Sequence, residues 1–136
     1  MYIHLLLILK IFFYIYIYMD KLDIVNNKYK YDALVTSVYD GDTITVEINL
    51  GFKIKVRKKI RLYGIYTYEL KGREMEKGLK AKKFTSDKVL NKIITLYTIK
   101  DRAGQFLGII HYLDDDKYFN LNKELIINNH GKLFMI

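Results

Sequence analysis

Two short strings hold the side chains best suited to chemistry. In Asp40-Gly41-Asp42-Thr43, two carboxylates stand two residues apart around a glycine. Extended backbone projects such a pair to one side, as a hard cation taking oxygen ligands requires. Taken alone, the string reads first as a tight turn. The second string, Arg61-Leu62-Tyr63-Gly64-Ile65-Tyr66-Thr67-Tyr68-Glu69, begins with a guanidinium that can fork two hydrogen bonds onto a phosphate. It ends with a carboxylate able to act as a base. Taken alone, Arg61 is a surface strand residue and Glu69 a loop residue. The run Asp114-Asp115-Asp116 reads as a solvated turn rather than a metal site.

These groups must be positioned by a chain whose periodicity is mostly that of strands. Tyr31–Val38 is rich in β-branched residues and runs into the Asp40-Gly41 turn. Ile44, Val46 and Ile48 alternate with Thr43, Thr45 and Glu47, which predicts a half-buried strand. Asn49-Leu50-Gly51 predicts a hairpin turn, after which Ile54 and Val56 alternate with Lys53, Lys55 and Arg57, and Ile60–Tyr63 continues the strand. An antiparallel meander of this kind sets Lys53, Lys55, Arg57 and Lys59 on one solvated, positive side.

From Glu74 to Asn91 the pattern becomes helical, with Met75, Gly78, Leu79, Val89 and Leu90 on one face, widened by Ala81 and Phe84. Gly78 is a local cost, whereas Glu74 and Glu76 suit the positive end of the helix dipole. Ile93–Ile99 predicts a fourth strand, Asp101–Gly104 a turn, and Phe106–Leu113 a fifth strand. A short helix near Leu121–Asn129 follows, with Asn129 or Gly131 as its cap. Five short strands with a helix between the third and fourth predict a mainly-β, α+β domain over residues 29–136: a small closed OB-fold barrel with a short C-terminal helix.

Composition bounds the rest. The 136 residues include 23 Lys+Arg and 15 Asp+Glu, for a net charge of +8, and no cysteine, proline or tryptophan. That length suits one small domain, and 51% hydrophobic residues argue against wholesale disorder. The lack of cysteine excludes a disulfide scaffold, a thiolate metal site and a thiol nucleophile. The positive charge favours an anionic partner such as nucleic acid, phosphate or acidic lipid, although it also serves simple solubility.

Residues 1–18 form an apolar extension in which Lys10 is the single charge, and 19–28 form a polar lead-in. No Ala, Gly or Ser precedes Ala33, which argues against a cleaved signal peptide. Translation of the segment as a signal peptide would make the protein secreted, and two further readings stand beside that one. Either Met19 is the true start, as an AT-rich coding sequence would allow, and the protein is cytoplasmic, or the segment is an uncleaved anchor with tyrosines at the membrane interface.

Taken in order, these strings resemble the staphylococcal nuclease (thermonuclease-like) family from about Tyr31 to Phe134. The resemblance rests on Asp40-Gly-Asp-Thr43, Lys59-Ile-Arg-Leu-Tyr-Gly-Ile65, Thr67 and Glu69, then on the helical Glu76–Phe84, Asp101…Gly104 and Leu121-Asn-Lys-Glu-Leu125. It implies an OB barrel that hydrolyses DNA and RNA phosphodiesters with Ca²⁺, or with Mg²⁺ or Mn²⁺ in its place. By the same resemblance, Asp42 falls on the metal-binding aspartate and Thr67 on the threonine whose backbone carbonyl helps hold the ion. Arg61 falls on the first phosphate-binding arginine and Glu69 on the glutamate that serves the attacking water.

The match has gaps. Tyr66 stands where the family has a second metal aspartate, which Asp40 would partly replace, and Tyr68 stands where a proline is usual. Gly104 is followed by Gln105 rather than by the family's second arginine, with Arg102 close by as a substitute. The resemblance therefore implies a weakened or altered nuclease, monomeric, acting on single-stranded or flexible DNA or RNA. Arg102, Gln105, Lys53 and Lys55 are its expected substrate contacts. The alternative is a non-catalytic OB module that binds nucleic acid through basic residues and exposed tyrosines.

Overall fold

The computed structural model describes residues 2–21, 29–102 and 105–134, without the side chains of residues 2, 18–21 and 100–102. Most of the lead-in at 19–28, and Gly104, lie outside the described residues. Helix α1 (Tyr2–Lys21) comes first, and its described side chains from Ile3 to Ile17 are all exposed. Among the described residues, no helix is long and apolar enough to cross a membrane.

The meander follows as β1 (Lys30–Asp40), β2 (Thr43–Gly51) and β3 (Ile54–Leu62), each antiparallel to the last. A three-residue strand β4 (Ile65–Thr67) leads through a 3-10 turn to helix α2 (Met75–Val89). The hairpin β5 (Ile93–Arg102) and β6 (Gln105–Asp114) comes next, then β7 (Lys117–Asn120), α3 (Leu121–Ile127) and β8 (Gly131–Leu133). The sheet runs β3-β2-β1-β5-β6, and β6 returns to pair in parallel with β3 at Ile60↔Phe106, Arg61↔Leu107 and Leu62↔Gly108. Five strands thereby close on themselves, the OB-fold barrel that the strand pattern predicts.

The barrel is filled by the alternating apolar residues. Val35, Ile44, Val46, Ile60, Leu62, Leu96 and Ile110 are fully buried, and Leu121 and Leu125 of α3 close one end. Asn122, buried between them, is satisfied: its amide donates to the carbonyls of Tyr63 (2.9 Å) and Gly108 (3.1 Å), and its oxygen accepts from Ile110 N–H (3.2 Å). That side chain ties α3 to the end of β3 and to β6, and its polar atoms avoid the penalty of unpaired burial. Asn120 caps the helix by accepting from Lys123 N–H (3.1 Å), and Asn129 takes the left-handed conformation expected of a helix stop (φ 62°).

Three local expectations are corrected. The β2–β3 turn is Phe52-Lys53 rather than Asn49–Gly51, with φ of 53° and 62°. A two-residue hairpin of type I′ has both central residues left-handed, which matches the twist of its strands. Lys53 consequently sits at the hairpin tip, outside the row formed by Lys55, Arg57 and Lys59. The buried stripe of α2 is Gly78, Ala81, Thr85 and Val89, whereas Met75 and Leu79 face solvent. Small residues face inward there because the helix runs hard against the backbone of residues 68–69. Beyond those expectations, β4 pairs with β8 in a separate two-stranded sheet, with Thr67 opposite Gly131.

Candidate active site

The β1–β2 turn, the far end of β3 and the end of β4 converge on Asp42. Two register shifts in β1, at Val35/Ser37 and Val38/Asp40, bend the strand just before the turn. Asp42 is 4% exposed, and both carboxylate oxygens are held: Oδ2 accepts from Thr67 N–H at 2.9 Å and Oδ1 from the Thr43 hydroxyl at 2.9 Å. The β2–β3 register sets Thr43 opposite Arg61, whose Nη2 lies 3.9 Å from Asp42 Oδ2. Leu62 N–H donates to the Asp42 carbonyl (2.8 Å), which clamps the turn to β3.

Helix α2 braces this turn from behind. A Cβ on Gly41 would stand 2.9 Å from Ala81 Cβ and from both Cγ2 and Oγ1 of Thr67, so the glycine is required by close approach. The Thr85 hydroxyl, buried in α2, donates to the Gly41 carbonyl at 2.7 Å. Thr85→Val keeps the shape but leaves that carbonyl unpaired. It is expected to lower stability by about 1–2 kcal/mol in urea unfolding, with Thr85→Ser recovering most of the loss.

Asp40 accepts from Asp42 N–H (3.2 Å), and its carboxyl is pushed from 3.8 up to about 6, first by burial and then by the neighbouring Asp42 carboxylate. A raised carboxyl favours the neutral form in the folded state, so its stabilising contribution is present below pH 4 and fades as pH rises through about 6. In chelator, Asp40→Asn is therefore expected to raise the melting temperature above that pH. The gain, about 1–2 kcal/mol once solvent screening of this half-exposed group is allowed for, vanishes near pH 4.

The donors at the turn are all hard oxygens: the Asp40 and Asp42 carboxylates and Thr67. Thr67 Oγ1 is buried and has no hydrogen-bond partner among the described residues. That chemistry suits a hard cation such as Ca²⁺, Mg²⁺ or Mn²⁺. Among the described residues, no group of three or more His, Asp or Glu gathers at one point. Tyr66 adds no carboxylate; its ring meets Phe134 edge-on at 6.3 Å.

Glu69 is exposed just beyond β4, where its N–H donates to Glu74 Oε2 (3.3 Å). Gln105 joins Tyr39, Asp40, Thr43, Arg57, Lys58, Lys59, Arg61 and Phe106 around a cleft of about 540 Å³. Lys55 lies elsewhere, paired with Glu47 at 3.5 Å, and Lys53 is at the hairpin tip. The backbone of Arg102 pairs with Gln105 across the β5–β6 turn. Sequence reasoning passed over Tyr39, Lys58 and Phe106, which meet only because β6 closes against β3.

A model of the staphylococcal nuclease homologue family matches residues 59–129, just over half of the chain. The protein belongs to this family. The match takes in Arg61, Thr67, Glu69, α2 and α3, while Asp40 and Asp42 lie before it and rest on the geometry above. This nuclease homologue is also 27% identical, over 129 residues, to an uncharacterized protein of Methanocaldococcus jannaschii. That alignment covers 77% of this chain, which spans 60% of the length of the curated relative it matches.

Proposed function

We propose that this nuclease homologue is a metal-assisted phosphodiesterase acting on DNA or RNA. The observation that carries the reading is the buried Asp42 carboxylate, fixed by Thr67 N–H and faced by Arg61 from the next strand. Asp42, with Asp40 and Thr67, would hold Ca²⁺, Mg²⁺ or Mn²⁺; such an ion polarises a phosphate and acidifies a bound water. The 3.9 Å contact of Arg61 is loose and about one-third exposed, so the guanidinium can turn from Asp42 to a phosphate at little cost. There it would stabilise the charge that develops as the phosphodiester is attacked. Glu69, exposed two residues beyond β4, would take the proton of the attacking water. The net charge of +8 draws the polyanion in.

The test is cleavage of labelled single-stranded DNA and RNA with millimolar Ca²⁺, Mg²⁺ or Mn²⁺, or with chelator, beside a Glu69→Gln variant. Metal-dependent cleavage that falls about 10²–10⁴-fold in the variant is the expected result. Substrate retarded but intact, indifferent to metal and to the substitution, would instead make the domain a binding module. The Tyr66–Phe134 ring pair, filling the position of a family metal ligand, favours that second reading.

A further inference from the structure

The cleft beside Arg61 carries a second feature. Four cations, Arg57, Lys58, Lys59 and Arg61, line it against a single carboxylate, Asp40. Two rings open into it: Tyr39 is 63% exposed and Phe106 47%. Each carries a lysine, with Lys59 Nζ 4.2 Å from the Tyr39 ring centre and Lys58 Nζ 4.9 Å from that of Phe106. Neither ring is a stray surface residue. Tyr39 is the extra residue of the register shift between Val38↔Ile44 and Asp40↔Thr43, a bulge that re-aims its side chain at the end of β1. Phe106 begins the three-pair seam that closes the barrel, directly opposite Ile60.

We propose that this cleft is a second nucleotide subsite, which takes an unpaired nucleotide adjoining the phosphate at Arg61. The base stacks on Tyr39 or Phe106, and its phosphate lies against Lys58, Lys59 or Arg57. Stacking on an exposed ring accepts any base, but only a base free of its partner strand presents a face to it. Ammonium groups beside each ring supply the phosphate contact at the same place. The volume of about 540 Å³ falls in the range of small-ligand clefts, too confined for a duplex and suited to one splayed nucleotide. The inference rests on the proposed function only in placing a phosphate at Arg61; it requires neither cleavage nor metal.

The test uses the full chain carrying Glu69→Gln, in chelator, with a fluorescent twelve-nucleotide oligo-dT and a blunt duplex of equal length, read by anisotropy. Tyr39→Ala with Phe106→Ala is expected to weaken oligo-dT binding by roughly tenfold for each ring removed. Tyr39→Phe with Phe106→Tyr should bind as the parent does, which separates stacking from damage to the fold. Lys58→Ala and Lys59→Ala should each lower the salt dependence of binding by about one phosphate contact. Oligo-dT binding unchanged in the double alanine variant, or duplex bound as tightly as the single strand, would overturn the subsite. Loss of binding in Arg61→Ala with no effect of the rings would remove this inference and leave the phosphate reading in place. Ring-dependent binding by a parent chain that cleaves nothing would support the subsite and remove the catalytic reading.

Discussion

Asp42→Asn is expected to leave the barrel folded and to lower metal-dependent cleavage by about 10²–10³-fold. The two effects separate because the proposed function gives Asp42 two tasks. One is structural: its oxygens accept from Thr67 N–H and from the Thr43 hydroxyl in a buried setting. An amide can preserve both contacts, with its oxygen toward Thr67 N–H and its NH₂ toward the Thr43 oxygen, so the stability loss should stay near 1 kcal/mol. The other task depends on charge. In the proposed function that charge would attract the hard cation, which a neutral amide does only weakly. Asp42→Ala would confound the two by stranding Thr67 N–H without a partner, at about 1–3 kcal/mol more. Cleavage rates at saturating metal, set beside melting temperatures, give the separation. Parental cleavage by Asp42→Asn would mean that the reactive centre lies away from this turn.

The barrel was legible because its inward residues obey a period of two: Ile44, Val46 and Ile48 in β2 declare which face is buried whatever lies across from it. What lies across is a different matter. The parallel seam joining Ile60 to Phe106 spans a long stretch of chain and leaves no trace in local pattern, so the cleft bordered by Tyr39, Lys58 and Phe106 was hidden. Three-residue strands such as β4 and β8 are too short to alternate. Asp42, Arg61, Thr67 and Glu69 stood out as two strings, and their order and spacing pointed to a family. The meeting of Asp42, Arg61 and Thr67 depends on the register Thr43↔Arg61 and on a backbone N–H, Thr67, that no side-chain pattern encodes. Helix α2 misled for a related reason. Hydrophobic spacing assigns Met75 and Leu79 to the buried face, but where two backbones nearly touch, small residues win that face.

That close approach leads to the second large effect. Gly78→Ala is expected to destabilise the domain by about 3 kcal/mol and to lower cleavage at least tenfold. Intrinsic propensity predicts the opposite sign, since alanine in an exposed helix is favoured over glycine by about 1 kcal/mol. Here an added Cβ would collide with the Glu69 carbonyl oxygen and stand 2.9 Å from that of Tyr68. Both obstacles are backbone, so neither can swing aside as a flexible side chain would. Either α2 lifts, loosening Thr85 from the Gly41 carbonyl, or the segment bearing Glu69 shifts. The first route removes stability and the second misplaces the proposed base, where a displacement of about 1 Å is worth roughly 10²-fold in rate. Leu79→Ala, at the neighbouring exposed position, should change stability by no more than about 0.5 kcal/mol and leave cleavage alone. Oligonucleotide binding in chelator should survive Gly78→Ala, because the Arg61 cleft is lined by β1, β2, β3 and β6 and by no residue of α2. A Gly78→Ala protein that melts higher than its parent would show that α2 does not press on residues 68–69, and that Glu69 owes its position to something else.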